Sequence, residues 1–148
     1  MNKENLYQLC LTFIEQRIDT AETALKQARE ASNDDTKSSA GDKYETSREM
    51  MQQDIDRNKR LLIDAEDNRK VLESIGHAAV TDSIRGGSLV YTNRGIFYIS
   101  ISAGQLLSEG KTVFAISAAS PIGKLMLGKQ KKGSFDFNGK KYVIEDLA

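Results

Sequence analysis

Two carboxylates three residues apart, Asp42 and Glu45, are the residues of this sequence whose spacing most suggests chemistry. They lie in the stretch SSAGDKYETSREMM (38–51), where a polar run rich in turn-forming residues gives way to a charged run typical of a helix. An Asp-x-x-Glu pair at the start of a helix satisfies backbone N–H groups that otherwise lack partners. The pair is therefore either a helix cap or a functional site, and the local pattern leaves both interpretations open.

The other reactive side chains exclude several classes of site. A single cysteine, Cys10, cannot form an internal disulfide, and a single histidine, His77, cannot build a histidine metal cluster, so we predict structural roles for both. No apolar run approaches the roughly 18 residues of a membrane span, and the first residues lack the features of a secretory signal. We therefore expect a cytoplasmic protein without membrane contact.

The elements that must position the two carboxylates are helical. Before Gly76 the sequence is nearly free of glycine, and its apolar residues recur at steps of four and three, which is a heptad pattern. A polar run, SNDDTKSSAGD, separates two such seams and favours a turn. We predict an antiparallel coiled-coil hairpin over residues 1–76 with its tip near 33–45. The first seam contains Leu11, Ile14, Ile18, Ala21, Leu25 and Ala28, and the second contains Tyr44, Met51, Ile55, Asn58, Leu62, Ala65, Arg69 and Leu72.

Residues 79–148 have the pattern of a small antiparallel β-sheet with one short helix. Five runs are strand-like, namely SLVYT, IFYISIS, TVFAIS, GSFDF and KKYVIEDL, and tight turns at 93–95 and 138–139 join two pairs of them. Between the third and fourth runs, Ser120 can cap a helix that has Pro121 in its first position and ends near Leu127. The fold class is therefore α+β. The predicted core of this domain contains Val90, Ile96, Tyr98, Val113, Ile116, Leu125, Leu127, Phe135 and Val143.

These segments together resemble the bacterial Gre family of transcript-cleavage factors. The strongest local similarity is ISAASPIGKLMLGK (116–129), which looks like the family's Ser-Pro-Ile segment followed by Gly-Lys. The final strand YVIEDL fits as well, and AREASND and TSREMMQQ are similar to the sequences that flank the family's hairpin tip. The resemblance covers nearly the whole chain and implies a coiled-coil hairpin followed by an FKBP-like domain.

The resemblance also implies a function. Such a factor inserts its hairpin into the secondary channel of RNA polymerase, while its globular domain docks at the channel entrance, here through Ser120, Pro121, Ile122 and Gly123. Two tip acids, Asp42 and Glu45, help to hold the second Mg²⁺ of the polymerase active centre, so that backtracked RNA is cleaved. The factor is then not itself an enzyme, has no cofactor of its own, and contacts RNA and DNA only within the elongation complex. We expect it to be a monomer.

The tip departs from the family pattern, which leaves its register open. Gly41-Asp42-Lys43-Tyr44-Glu45 reproduces the Gly-Asp-x-x-Glu spacing, but Thr46 and Ser47 stand where the family has Asn and Ala. A second register aligns Tyr44, Arg48 and Glu49 with the family's downstream Tyr, Arg and Glu. The acidic pair would then fall on Lys37 and Ala40 or, across an insertion, near Asp34 and Asp35, which are reserve candidates.

Two other functions are compatible with the same sequence. A non-cleaving regulator could occupy the same channel with its tip acids serving only as caps. An adaptor could instead self-associate through the heptads and bind another protein through the C-terminal domain, whose Lys and Arg residues outnumber its Asp and Glu residues. Cleavage assays separate the first alternative from the cleavage factor, and solution mass separates the second.

Overall fold

The chain folds into two long helices followed by a six-stranded sheet with one short helix, which confirms the α+β class. The computed structural model describes residues 2–35, 41–76 and 79–148, and it describes side chains for 2–31, 47–76 and 79–148. His77 and the centre of the predicted turn, 36–40, lie outside the described residues. The elements are α1 (Lys3–Asp35), α2 (Gly41–Ile75), β1 (Leu89–Thr92), β2 (Gly95–Ser100), β3 (Gly104–Ser108), β4 (Lys111–Ser117), α3 (Pro121–Met126), β5 (Ser134–Phe137) and β6 (Lys140–Leu147).

The two long helices bury the seams that the heptad pattern predicts. In the compact unit formed by Ile14–Arg69, the buried side chains among the described residues are those of Ile14, Ala21, Leu25, Ile55 and Ala65. The described residues of this unit belong to α1 and α2, so the two helical arms cover each other's buried side chains and form a helical hairpin. Leu25 of α1 and Leu62 of α2 border the same groove of about 380 Å³.

The second seam differs from the prediction at one position. Arg69 is exposed, whereas its neighbour Asn68 is half-buried between the buried residues Ala65 and Leu72. A guanidinium loses more hydration energy in a seam than a compact amide does, which accounts for the exchange of the two positions. Tyr44, also predicted in this seam, has no described side chain.

The other compact unit combines the sheet with the adjoining ends of the helices, Met1–Phe13 and Lys70–Ala148. The first face of its sheet packs against α1: the Asn5 side-chain amide donates to Ser108 Oγ at 2.9 Å, and Cys10 Sγ lies 3.6 Å from Ser100 Oγ. The second face carries α3. Strand alternation separates the two faces, because successive side chains point to opposite sides of a sheet.

The sheet is mixed rather than wholly antiparallel, which corrects the prediction. Its strand order is β3-β4-β2-β1-β6-β5, and β2 pairs with β4 in parallel while the other described pairings are antiparallel. The difference comes from β3, a strand that the sequence reading did not include. β3 forms an antiparallel hairpin with β4, which brings β4 beside β2 in the same direction as β2.

The predicted tight turns are confirmed. Asn138 and Gly139, which join β5 to β6, both have positive φ angles, of 51° and 75°. The turn between β1 and β2 is held from the side by β6, since Val143 N–H donates to Asn93 Oδ1 at 2.7 Å. In the described part of the chain, none of the helices has a stretch that is long and apolar enough to span a lipid bilayer.

We expect the stability of the sheet unit to fall in alkali because of two buried acidic groups. Burial raises the pKa of the Cys10 thiol, although its hydrogen bond with Ser100 opposes the shift, and burial also raises the pKa of the Tyr98 hydroxyl. A group with a raised pKa stabilises the fold below its unfolded pKa, about 8.5 for Cys and about 10 for Tyr, and this contribution is lost as the pH rises through the folded pKa.

The measurement is the free energy of unfolding in urea, taken from pH 7.5 to pH 11. The wild type should lose stability across this window. The double variant Cys10→Ala/Tyr98→Phe should be less sensitive to pH, because it lacks two of the groups whose pKa is raised in the folded state. An unchanged pH dependence in the double variant would assign the alkaline loss to other groups.

Candidate functional site

The segment from Ser117 to Gly128 forms a tightly fixed helical turn around α3. Ser120 is its N-cap, as predicted, with Pro121 in the first helical position. The Ser120 hydroxyl donates to the Ser117 carbonyl oxygen at 2.6 Å and accepts from Gly123 N–H at 3.1 Å. Its hydroxyl is therefore occupied on both sides within the chain, which indicates a structural role for Ser120 itself.

Gly123 is required by the close approach of the chain. A Cβ atom at this position would overlap the Ser117 carbonyl oxygen and would lie 2.9 Å from Ser120 Oγ. Both neighbours are held by the capping hydrogen bonds, so neither can easily move away. The Ser-x-x-Gly spacing within Ser-Pro-Ile-Gly therefore has a physical cause in this structure.

The two remaining members of the predicted docking set differ in exposure. Pro121 is exposed, whereas Ile122 is half-buried and packs against the core cluster of the sheet. Among Ser120, Pro121, Ile122 and Gly123, the structure thus leaves Pro121 most available to a partner. Whether any of these residues binds a partner stays a prediction.

Two residues predicted for the core, Leu125 and Leu127, are instead exposed. Their exposed fractions are 39% and 42%, while Met126 between them is fully buried. Ile122 and Met126 are four residues apart and share the inward side of α3, whereas Leu125 lies at the edge of that side, where solvent reaches it. Leu127 is the C-cap of α3, and its ψ of 130° takes it out of the helical conformation.

We call the exposed residues Pro121, Lys124, Leu125 and Leu127 the α3 surface. It combines three apolar side chains with one cation on a segment whose backbone is fixed by the Ser120 cap. Gly128, with φ of +82°, ends the turn, and its N–H donates to the Ile84 carbonyl oxygen at 2.8 Å. A small apolar surface on a rigid turn is suited to contact with another protein.

The predicted metal-assisting residues lie at the hairpin end of the long helices. Asp42 and Glu45 are the second and fifth residues of α2, and Asp34 and Asp35 are the last two residues of α1. The side chains of all four lie outside the described residues. A capping aspartate precedes its helix, whereas α2 as bounded begins one residue before Asp42. The choice between a cap and a metal-assisting pair stays open for these residues.

The sequence reading missed a row of aromatic side chains on the α3 face of the sheet. Its signal was present, since Phe135 and Phe137 are two residues apart in one strand and Phe97, Phe114 and Tyr142 occur in three others. Period-two spacing places such residues on one face, but it does not show which strands are neighbours. Only the sheet order brings the rings together.

Comparison of this chain with protein-family models and with curated proteins gives no match.

Proposed function

We propose that this protein is a transcription factor of the Gre type, which binds RNA polymerase through its secondary channel and stimulates Mg²⁺-dependent cleavage of backtracked RNA. The protein acts as a monomer in the cytoplasm and is an accessory factor rather than a nuclease. Its arms form a coiled coil, and its sheet domain is of the FKBP-like type. One observation carries the proposal: the Gre-like Ser-Pro-Ile-Gly segment follows a hairpin whose second helix begins with Gly-Asp-x-x-Glu.

The dimensions of the helices support this function. α1 has 33 residues and α2 has 35, so each spans roughly 50 Å at about 1.5 Å per residue. Asp42 and Ile75 are at opposite ends of α2, and Ile75 leads into the sheet unit. A helix of this length is long enough to place a carboxylate deep in a channel.

The chemistry of the tip is that of a weak, incomplete metal site. Mg²⁺ takes hard oxygen ligands and usually keeps several of its waters, so two carboxylates alone bind it poorly. Within the polymerase, a first metal, its ligands and the RNA are already in place. There a second metal can activate one of its waters for in-line attack on a phosphodiester. Asp42 and Glu45 would help to retain that second metal, with Asp34 and Asp35 as the reserve pair.

A non-cleaving channel regulator is the second candidate. It is favoured by the departure of the tip from the family pattern, since Thr46 and Ser47 replace Asn and Ala directly after Glu45. Such a regulator would bind the polymerase through the same surfaces and would leave the rate of cleavage unchanged.

The test is cleavage of end-labelled RNA in a stalled, backtracked elongation complex of the cognate polymerase at fixed Mg²⁺. Addition of the protein should accelerate cleavage at least about tenfold, and the protein mixed with free RNA alone should cleave nothing. Binding to the polymerase is measured in parallel by fluorescence anisotropy of the labelled protein. Binding without acceleration identifies the non-cleaving regulator, and the absence of binding excludes both functions.

A further inference from the structure

Five aromatic rings form a continuous row across the sheet on the face that carries α3. Successive ring centroids along the row are 5.5, 6.2 and 6.5 Å apart, and a fifth ring stacks against the row at 5.0 Å. We call this set the aromatic row; in order it contains Phe114, Phe97, Tyr142 and Phe137, with Phe135 stacked on Tyr142.

Part of the aromatic row reaches the surface. Phe97 and Phe135 are buried, but Phe114, Tyr142 and Phe137 are half-buried and present ring surface to solvent. The two buried rings therefore fix the row in the core, and the exposed ring surface of the other three is accessible to a partner.

Leu107 extends the row to the edge of the sheet. Gln105 of β3 is in register with Phe114 of β4, and Leu107 lies two residues further along β3, so it is on the same face. Its exposed fraction is 70%, the largest among the exposed apolar residues in the described part of the chain. Leu107 is therefore diagonal to Phe114 across this strand pair, with Gln105 directly beside Phe114, and the exposed leucine and the half-buried rings form an apolar strip on one face.

Two cationic side chains, Arg94 and Lys140, lie beside this strip. The Arg94 guanidinium carbon lies 5.8 Å from the Tyr142 ring centroid, and Arg94 Nε donates to the Lys141 carbonyl oxygen at 2.9 Å, which fixes the arginine in place. Lys140 is in register with Phe137 and therefore shares its face. The nearby carboxylate of Asp136 is in register with Lys141, and alternation places both on the opposite face.

The ring geometry favours a protein segment over a nucleic acid. Bases bind to aromatic side chains by stacking on free ring faces. Tyr142 is stacked on Phe135 with an interplanar angle of 6° and has Arg94 over its ring, so its faces are already covered. What remains is partly exposed rings and the aliphatic side chain of Leu107, which suit burial of apolar side chains from a protein.

We propose that the aromatic row, together with Leu107, Arg94 and Lys140, docks an acidic peptide segment of a partner protein whose apolar side chains alternate with Asp or Glu. The apolar side chains lie on Leu107, Phe114 and Phe137. The carboxylates of the segment pair with the Arg94 guanidinium and the Lys140 ammonium. This site is distinct from the α3 surface and from the hairpin tip, and it does not depend on the cleavage function.

The test uses nuclear magnetic resonance of the full ¹⁵N-labelled chain with three probes. The first is a 12-residue peptide in which Leu and Phe alternate with Glu and Asp, the second is the same peptide with Lys in place of each acid, and the third is a 12-nucleotide single-stranded RNA. The acidic peptide should shift the backbone amides of 94–97, 105–107, 112–114 and 137–142, and the other two probes should leave these amides in place.

Two matched variants make the test specific. Leu107→Ser/Lys140→Glu removes one exposed apolar side chain and reverses one charge within the site, and it should weaken binding of the acidic peptide at least about tenfold. The control Val80→Ser/Lys111→Glu also removes one exposed apolar side chain and reverses one charge, but outside the site. Val80 is 68% exposed, and Lys111 is next to Thr112, the register partner of Leu107, so Lys111 lies on the opposite face of the sheet. This variant should bind the acidic peptide like the wild type.

Four results would overturn the proposal. No shifts at these amides with the acidic peptide, or equal shifts with the lysine peptide, would show that the site lacks the predicted preference. Shifts with the RNA alone would assign the face to nucleic acid. Equal weakening by both double variants would show that the effect is not local. Because no polymerase is present, none of these results bears on transcript cleavage.

Discussion

Replacing Asp42 and Glu45 together by alanine is expected to abolish stimulated transcript cleavage while leaving binding to the polymerase intact. The two carboxylates are proposed to retain a weakly held second metal. Loss even of the outer-shell groups around a bound metal typically costs roughly 10–100-fold in metal affinity or activity, so loss of two groups that hold it directly should cost at least as much. Since the proposed stimulation is itself about tenfold or more, this loss removes it. The cleavage rate in the backtracked complex and the anisotropy of the labelled protein report the two properties separately.

The matched control is Asp64→Ala/Asp67→Ala. These two aspartates are also three residues apart on α2 and are exposed, so the variant changes the charge by the same amount on the same helix. It should cleave as the wild type does. The helical content of both variants is compared by circular dichroism, because a lost cap would lower helix stability by about 1 kcal/mol.

The outcomes also decide the register of the tip. Full cleavage by the Asp42→Ala/Glu45→Ala variant would contradict a metal-assisting role for this pair. If cleavage were instead lost in Asp34→Ala/Asp35→Ala, the reserve pair would be the one that assists the metal. Reduced helical content with unchanged cleavage would identify Asp42 and Glu45 as helix-stabilising residues.

Local signals accounted for much of the fold. The burial of the seam residues Ile14, Ala21 and Leu25 could be predicted, because a heptad pattern is visible in the sequence of one helix without knowledge of the helix that packs against it. The Ser120 cap and the Asn138-Gly139 turn were predicted for the same reason, since each depends on the backbone within a few residues.

The features that were missed depend on distant parts of the chain. β3 has the sequence GQLLS, which lacks β-branched and aromatic residues, so its strand conformation comes from pairing with β4 and not from its own propensity. The parallel pairing of β2 with β4 follows from that insertion. Leu125 and Leu127 were predicted in the core, but Met126 occupies it instead. This outcome depends on which side of α3 faces the sheet, and the sequence of a six-residue helix does not reveal that side.

The candidate sites also differ in whether they could be predicted from the sequence. The Ser-Pro-Ile-Gly segment and the tip acids could be found as motifs, because their residues are adjacent in sequence. The aromatic row could not, because its rings come from four strands and meet only through the sheet order. The exposure of Leu125 and Leu127, which supply two of the three apolar side chains of the α3 surface, was likewise a property of packing.

Gly123→Ala is expected to give the largest loss of stability of any single methyl addition in α3, about 3 kcal/mol, at the upper end of the range for overpacking. The added Cβ would overlap the Ser117 carbonyl oxygen, and the Ser120 hydroxyl that bonds this oxygen would be displaced as well. The overlap can therefore be relieved only if the hydrogen bonds of the Ser120 cap break. The measurement is urea unfolding followed by near-ultraviolet circular dichroism, which reports on the packed tyrosines of the sheet unit.

The control Gly104→Ala separates steric overlap from backbone strain. Gly104 has φ of +74°, and no atom lies within 4 Å of the position that an added methyl would take, so alanine there costs only the left-handed conformation, about 1–2 kcal/mol. Gly123 does not have a positive φ, so its cost comes from the overlap. If Gly123→Ala were no less stable than Gly104→Ala, the Ser117 carbonyl must be able to move. The Ser-Pro-Ile-Gly turn would then be a deformable loop, and a rigid α3 surface could not be the basis of docking.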